Sequence, residues 1–198
     1  MSLPFHTRPM GNYLLETEYV DFGAGDTRYW FIVPPLNTST WSSVQLELKL
    51  MNPTNAVGAV FGYEKNETTR TFFRCWSNTT WQLYTGKVLP TYSFDYPAGS
   101  EINLNVNYAT GSIMVNGEKV SATARAPYTW GSWCIGDCSY NIDGTATWNK
   151  RNKMHLYSFK LYNNGEPLYD LQPMIDGLGR YWMRNRVDGT LLTRYEQA

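Results

Sequence analysis

The sequence predicts an all-β protein, a two-sheet antiparallel β-sandwich of the jelly-roll kind, and three observations carry that prediction. Residues 101–107 alternate Ile102, Leu104 and Val106 with Asn103, Asn105 and Asn107, the period of two that gives a strand one dry and one wet face. Asn116-Gly117 supplies the two positive-φ positions of a type I′ turn, folding the chain back after Ile113 and Val115. No capped apolar pattern of helical period runs for three turns, whereas ten or more short strands follow one another between turn residues.

Residues 1–12 hold Pro4, Pro9 and Gly11 without periodicity and read as an N-terminal arm ahead of one domain spanning 13–198. Residues 13–21 read as the opening strand, on which Glu16 and Glu18 are solvated edge charges. Gly23 to Asp26 makes a turn, and the apolar run 29–33 stops at Pro34-Pro35. Residues 43–51 alternate Val44, Leu46, Leu48 and Leu50 with Gln45, Glu47 and Lys49, a second strand with one wet face. Three short strands at 56–63, 69–76 and 81–88 follow, and 90–99 is an irregular aromatic connection carrying Tyr92, Phe94 and Tyr96. Beyond the hairpin come a short strand at 133–136 and a long loop at 137–153. A strand at 154–162 then places Tyr157, Phe159 and Leu161 on one face. Asn163-Asn164-Gly165 turns the chain into a returning strand at 168–174, and the closing segment 175–198 is rich in turns, with a hairpin signal at Val187-Asp188-Gly189-Thr190.

The order of these elements resembles a known family. An alternating strand, the SIMVNGEKV hairpin, the WCIG strand, a variable loop and then HLYSFKLYNNGEPLYDLQP are similar to the concanavalin A-like lectin/glucanase superfamily, of the laminin G-like sort found in bacteriophage structural and bacterial surface proteins. The resemblance covers most of the chain and implies a fold rather than a catalytic site. The closing stretch departs from the family pattern, reading Trp182-Met183-Arg184-Asn185 where many relatives carry a Tyr-Asp pair.

Composition narrows the function classes. Charged residues make up 17% of the chain, against roughly 25% in ordinary soluble domains, and aromatic residues 16%. The formal net charge is zero, which does not suit electrostatic capture of nucleic acid. No apolar run approaches membrane-spanning length, and the first residues lack a charged-then-apolar signal, so synthesis in the cytoplasm without conventional export is expected. Cys75, Cys134 and Cys138 are an odd set and read as structural thiols.

Catalysis is not expected. Glucanases of this fold need two carboxylates reaching one glycosidic bond, and neither Glu16-Thr17-Glu18 nor Leu46-Glu47-Leu48-Lys49 has the required pattern. His155 opens a strand, where a solvent-facing or hydrogen-bonded role is expected in place of a general base, and no glycine loop precedes a helix. Asp137 and Asp143 lack ligand spacing for calcium and read as turn residues; no cofactor and no metal are expected. Binding is the better prospect. Trp130, Trp148, Trp76, Trp81 and Tyr140 fall at or near expected turns, where aromatic rings can stack on sugar, and Asn103, Asn105 and Asn107 offer a neutral hydrogen-bonding row. Together with the resemblance, these features lead to a non-enzymatic virion structural protein, a capsid decoration, head-fibre or tail component. It is expected to be assembled in the host cytoplasm as a homo-oligomer with other virion proteins and to touch host glycan. The alternative is a carbohydrate-binding module for a cell-surface or dietary glycan, at the cell surface or outside the cell by a non-classical route.

Overall fold

The computed structural model describes residues 13–23, 28–34, 44–54, 57–66, 69–77, 79–85, 92–120, 133–136 and 153–197. They contain sixteen strands and no helix. In chain order these are β1 (Leu14–Glu16), β2 (Val20–Asp21), β3 (Arg28–Val33), β4 (Val44–Met51), β5 (Gly58–Asn66), β6 (Thr69–Cys75), β7 (Thr80–Thr85) and β8 (Tyr92–Asp95). There follow β9 (Glu101–Asn107), β10 (Ser112–Val115), β11 (Glu118–Lys119), β12 (Trp133–Ile135), β13 (His155–Asn163), β14 (Glu166–Asp176), β15 (Tyr181–Asn185) and β16 (Thr193–Gln197). Sheet A runs β1-β14-β13-β4-β9-β10-β11, with β15 on β14 and β2 on β13; sheet B runs β16-β3-β12-β5-β6-β7-β8. All the pairings are antiparallel, and the two sheets form the expected jelly-roll sandwich.

The two sheets bury their facing sides against each other. Leu46, Leu48 and Leu50 of β4, Ile102, Leu104 and Val106 of β9, and Leu156, Phe159 and Leu161 of β13 supply one half of the core. Phe31, Phe61, Phe73, Leu83, Trp133 and Ile135 supply much of the other. Phe61 sits at the crossing, 5.7 Å from the Trp133 ring and 5.7 Å, edge-on, from Phe159 of the opposite sheet. Each such ring contributes about 2–3 kcal/mol by leaving water. The sheets differ on their outer faces. Trp30, Ile32 and Cys134 form a second buried cluster on sheet B, and Ala59, Phe72 and Tyr84 a third. This is why β3 is apolar at consecutive positions: both of its faces are dry. Cys75 and Cys134 are buried thiols in β6 and β12, and burial pushes the Cys75 thiol up to about 11. Cys138 lies outside the described residues.

Four local expectations are corrected. The opening segment is not one edge strand. β1 pairs with β14 through Leu14↔Asp176 to Glu16↔Met174, while β2 pairs with β13 through Leu156↔Val20 and His155↔Asp21. Since β15 takes the other side of β14 and β4 the other side of β13, the segment folds back at Thr17–Tyr19 inside the fork where β13 and β14 part. The Thr17 amide donates to the Pro173 carbonyl at 3.1 Å and the Gln172 side chain donates to the Thr17 carbonyl, which pins the bend; Glu16 and Glu18 are exposed as expected. Second, the aromatic connection at 90–99 contains an edge strand, β8, because Phe94 turns inward against Phe73 at 6.0 Å. Third, Tyr157 does not share a face with Phe159 and Leu161. The β13–β4 register slips between Leu156 and Ser158, and this β-bulge turns Tyr157 onto the outer face. Finally, the closing segment is more than turns, since β15 extends sheet A and β16 joins β3 of sheet B.

The hairpin takes the expected form. Asn116 (φ 51°) and Gly117 (φ 82°) both occupy the left-handed region. The Asn116 side chain accepts from the Asn103 amide at 2.7 Å and donates to the Glu101 carbonyl at 3.1 Å, tying the turn to β9. Asn116→Ala is expected to lose about 1–2 kcal/mol in urea unfolding, from the lost hydrogen bonds and the alanine penalty at positive φ. A loss below 0.3 kcal/mol, on the order of ordinary exposed-surface noise, would show that the turn is held by its pairing alone.

Candidate functional site

The wet side of sheet A carries the candidate site. Alternation sends Gln45, Glu47 and Lys49 of β4 and Asn103 and Asn105 of β9 outward, opposite their buried neighbours. On β13 the bulge restores the outward phase, so that Ser158 and Lys160 face the same way. Glu47 pairs in register with Asn105 on one side and Lys160 on the other. The result is a groove of about 400 Å³ lined by Glu47, Lys49, Asn103, Asn105, Ser158 and Lys160.

Hydrogen bonds order this surface. The Glu47 carboxylate accepts from the Gln45 side chain at 2.9 Å, from Asn105 Nδ2 at 3.3 Å and from the Tyr162 hydroxyl at 3.3 Å. Asn105 and Tyr162 lie 58 and 115 residues away from Glu47 in sequence. Burial and the Glu47 carboxylate hold the Tyr162 hydroxyl above its ordinary range, so it remains a donor at neutral pH. Lys49 pairs with Glu101 at 3.0 Å and lies 5.1 Å from the centre of the Tyr157 ring.

An aromatic platform adjoins the groove. Tyr157, next to Ser158, meets Tyr19 edge-on at 5.5 Å, and Tyr19 stacks flat on His155 at 4.2 Å. His155 Nε2 stands 3.7 Å from Asp21 Oδ1, a carboxylate that also accepts from the Gly23 amide at 2.7 Å. Burial, with Glu18 and Glu101 nearby, holds the Tyr157 hydroxyl above the usual tyrosine value. The chain thus sets rings beside fixed donors and acceptors, the arrangement that suits a pyranose with one apolar face and a belt of hydroxyls. The groove lining contains one carboxylate, Glu47, whereas glycoside hydrolysis by the usual route takes two. Among the described residues, no three His, Cys, Asp or Glu side chains converge to hold a metal ion.

The sequence-derived candidates divide. Asn103 and Asn105 line the groove. Asn107 does not, because its side chain accepts from the Ala109 and Thr110 amides and caps the turn after β9. Trp81 is a correction: it is 1% exposed and packs 5.3 Å from Phe73 inside the sandwich, since it points inward from β7. Trp76 is 46% exposed, with the Arg74 guanidinium 3.9 Å over its ring, on sheet B and away from the groove. Trp130, Tyr140, Trp148, Asp137 and Asp143 lie outside the described residues. Sequence reasoning did not single out Glu47, Lys49, Ser158 and Lys160, which line the groove. The alternation in β4 marked Glu47 and Lys49 as wet, but nothing local marked the strands that become their neighbours.

No known protein family matches the sequence, and no curated protein matches it. Solved structures do resemble it. A protein from Bacteroides ovatus named for carbohydrate binding superposes with a TM-score of 0.57 at 12% identity, over 91% of this chain and 58% of that one. A heptameric SAP-like pentraxin from Limulus polyphemus gives 0.47 at 12% identity, over 71% of this chain and 70% of that one. Domains LG4-5 of the mouse laminin α1 chain give 0.49 at 12% identity, over 83% and 48%. This chain therefore spans little more than half of the Bacteroides protein and about half of the laminin fragment. At such identities the likeness shows the fold alone, a two-sheet antiparallel jelly-roll sandwich.

Proposed function

We propose that this chain is a non-enzymatic carbohydrate-binding module that takes its glycan on the outer face of sheet A. The observation that carries the reading is the groove, where Asn103, Asn105, Glu47 and Ser158 converge beside the outward-turned ring of Tyr157. The amides and the Ser158 hydroxyl fix the sugar's hydroxyls, and the tyrosine covers its apolar C–H face. The name of the Bacteroides protein that shares the fold points the same way. A glycan array identifies the ligand, and calorimetry then tests the site. Tyr157→Ala and Asn105→Ala are each expected to weaken binding about tenfold, the value of one stacked ring or one buried hydrogen bond. A blank array, or full affinity in both variants, sinks the reading.

One observation favours an additional setting. Tyr13 and Leu15 share a side of the opening segment and are 76% and 64% exposed, which suits a surface covered in an assembly. Attachment to a bacteriophage particle as a capsid decoration, head-fibre or tail component, with this chain as a homo-oligomer among other virion proteins, would bury both. Light scattering at micromolar concentration tests it: a monomer that gains no mass with capsid or tail protein removes the virion reading.

A further inference from the structure

We infer that the groove selects an acidic saccharide and that Lys160 is the residue that recognises its carboxylate or sulfate. This rests on the carbohydrate-binding reading above and adds the class of ligand. The argument comes from the pattern of commitments among the three charged residues that line the groove.

Glu47 accepts three hydrogen bonds from neutral donors: Gln45 and Asn105 reach one of its oxygens and Tyr162 the other. Lys49 has its counter-ion in Glu101 at 3.0 Å. Lys160 differs. It stands in register between Glu47 of β4 and Asp170 of β14, two carboxylates in the positions where cross-strand ion pairs form, yet it makes an ion pair with neither. Asp170 reaches instead towards Arg186 at 3.9 Å. Lys160 is also half-buried on a central strand, so it does not act as a charge guarding an exposed sheet edge. An ammonium with three donors therefore points into a groove whose carboxylate is occupied, next to the Ser158 hydroxyl. Such a donor excess is complemented by an anionic substituent, and a neutral sugar would leave the ammonium without a counter-ion.

The test uses the whole chain, with hexagalacturonate, its methyl ester of the same length, and a heparin hexasaccharide. The ester removes charge from the same backbone, and the sulfated probe separates sulfate from carboxylate recognition. The wild-type protein is expected to bind at least one acidic probe about tenfold more tightly than the ester, a preference that 0.5 M salt erodes. Lys160→Met should abolish the tenfold preference for acid over ester, while Lys160→Arg retains it. Equal binding of acid and ester, or a preference that survives in Lys160→Met, overturns the inference and leaves the glycan reading intact. No binding to any of the three probes by a chain that binds neutral glycans on an array also overturns it. A chain that binds nothing overturns both.

Discussion

Gly62→Ala is expected to cost about 4 kcal/mol, near the upper end for a single substitution and a large share of a domain's net stability. Gly62 has φ +146°, and a Cβ there would lie 2.1 Å from the Phe72 Cβ, 2.5 Å from the Phe72 Cα and 2.5 Å from the Thr71 carbonyl. Two of these atoms belong to the backbone of the paired strand, since Gly62 and Phe72 are in register between β5 and β6. No rotamer change relieves the clash; the strands must part. The neighbouring stack of Phe72 on Tyr84, with centroids 4.2 Å apart, would be displaced with them. Gly117→Ala provides the control, because its φ is +82° but nothing lies within 4 Å of the added methyl. That variant should lose about 1 kcal/mol, the conformational cost alone. Urea midpoints with unchanged m values make the comparison, and similar losses in the two variants would refute the close approach of β5 and β6.

Asp176→Asn should lose about 3 kcal/mol at neutral pH, with an effect that fades in acid. Asp176 ends β14, and its buried carboxylate accepts from the Leu178 amide (2.9 Å), the Arg180 amide (3.0 Å), Arg180 Nε (2.8 Å) and Trp182 Nε1 (3.0 Å). Burial alone would raise its pKa, but hydrogen bonds from Arg180, Trp182 and Leu178 outweigh it and hold the group below the ordinary 3.8. A carboxylate depressed in the folded state stabilises the fold above its unfolded pKa and loses that contribution as pH falls through the folded value. Asparagine would turn an N–H group towards donors that now meet oxygen, which sets the size of the loss. The stability gap between wild type and variant should therefore be constant from pH 7 to about 5 and shrink below pH 3.8. A gap that stays constant into acid would mean that the carboxylate is not the charged acceptor described.

Both positions also show how unevenly the sequence discloses the fold. Asn116-Gly117 and Asn164-Gly165 announced their turns, because only a few residues tolerate positive φ and they occur in pairs. Gly62 gave no such signal, lying inside an apolar strand where a glycine is as readily a weak point as a close contact. The groove was legible in part. Alternation put Asn103 and Asn105 on the wet face, where both line the groove, whereas Asn107 had the same local pattern and is engaged with its own turn. Trp81 looked like a turn residue because a Ser-Asn-Thr-Thr run precedes it, yet it lies one step into β7, on the inward side.

What the sequence determined by itself was the class of fold and the wet face. Period-two alternation is a property of each extended backbone, so β4 and β9 declared which side would face water. Only the tertiary structure decided which wet residues meet. The order β13-β4-β9 brings Lys160, Glu47 and Asn105 side by side, and it follows from how the apolar faces of both sheets close on one another, which no single strand encodes. The fold-back at Thr17–Tyr19 and the bulge at Tyr157 are of the same kind. Each changes which residues face outward by a single step, and a single step is set by pairing partners far along the chain.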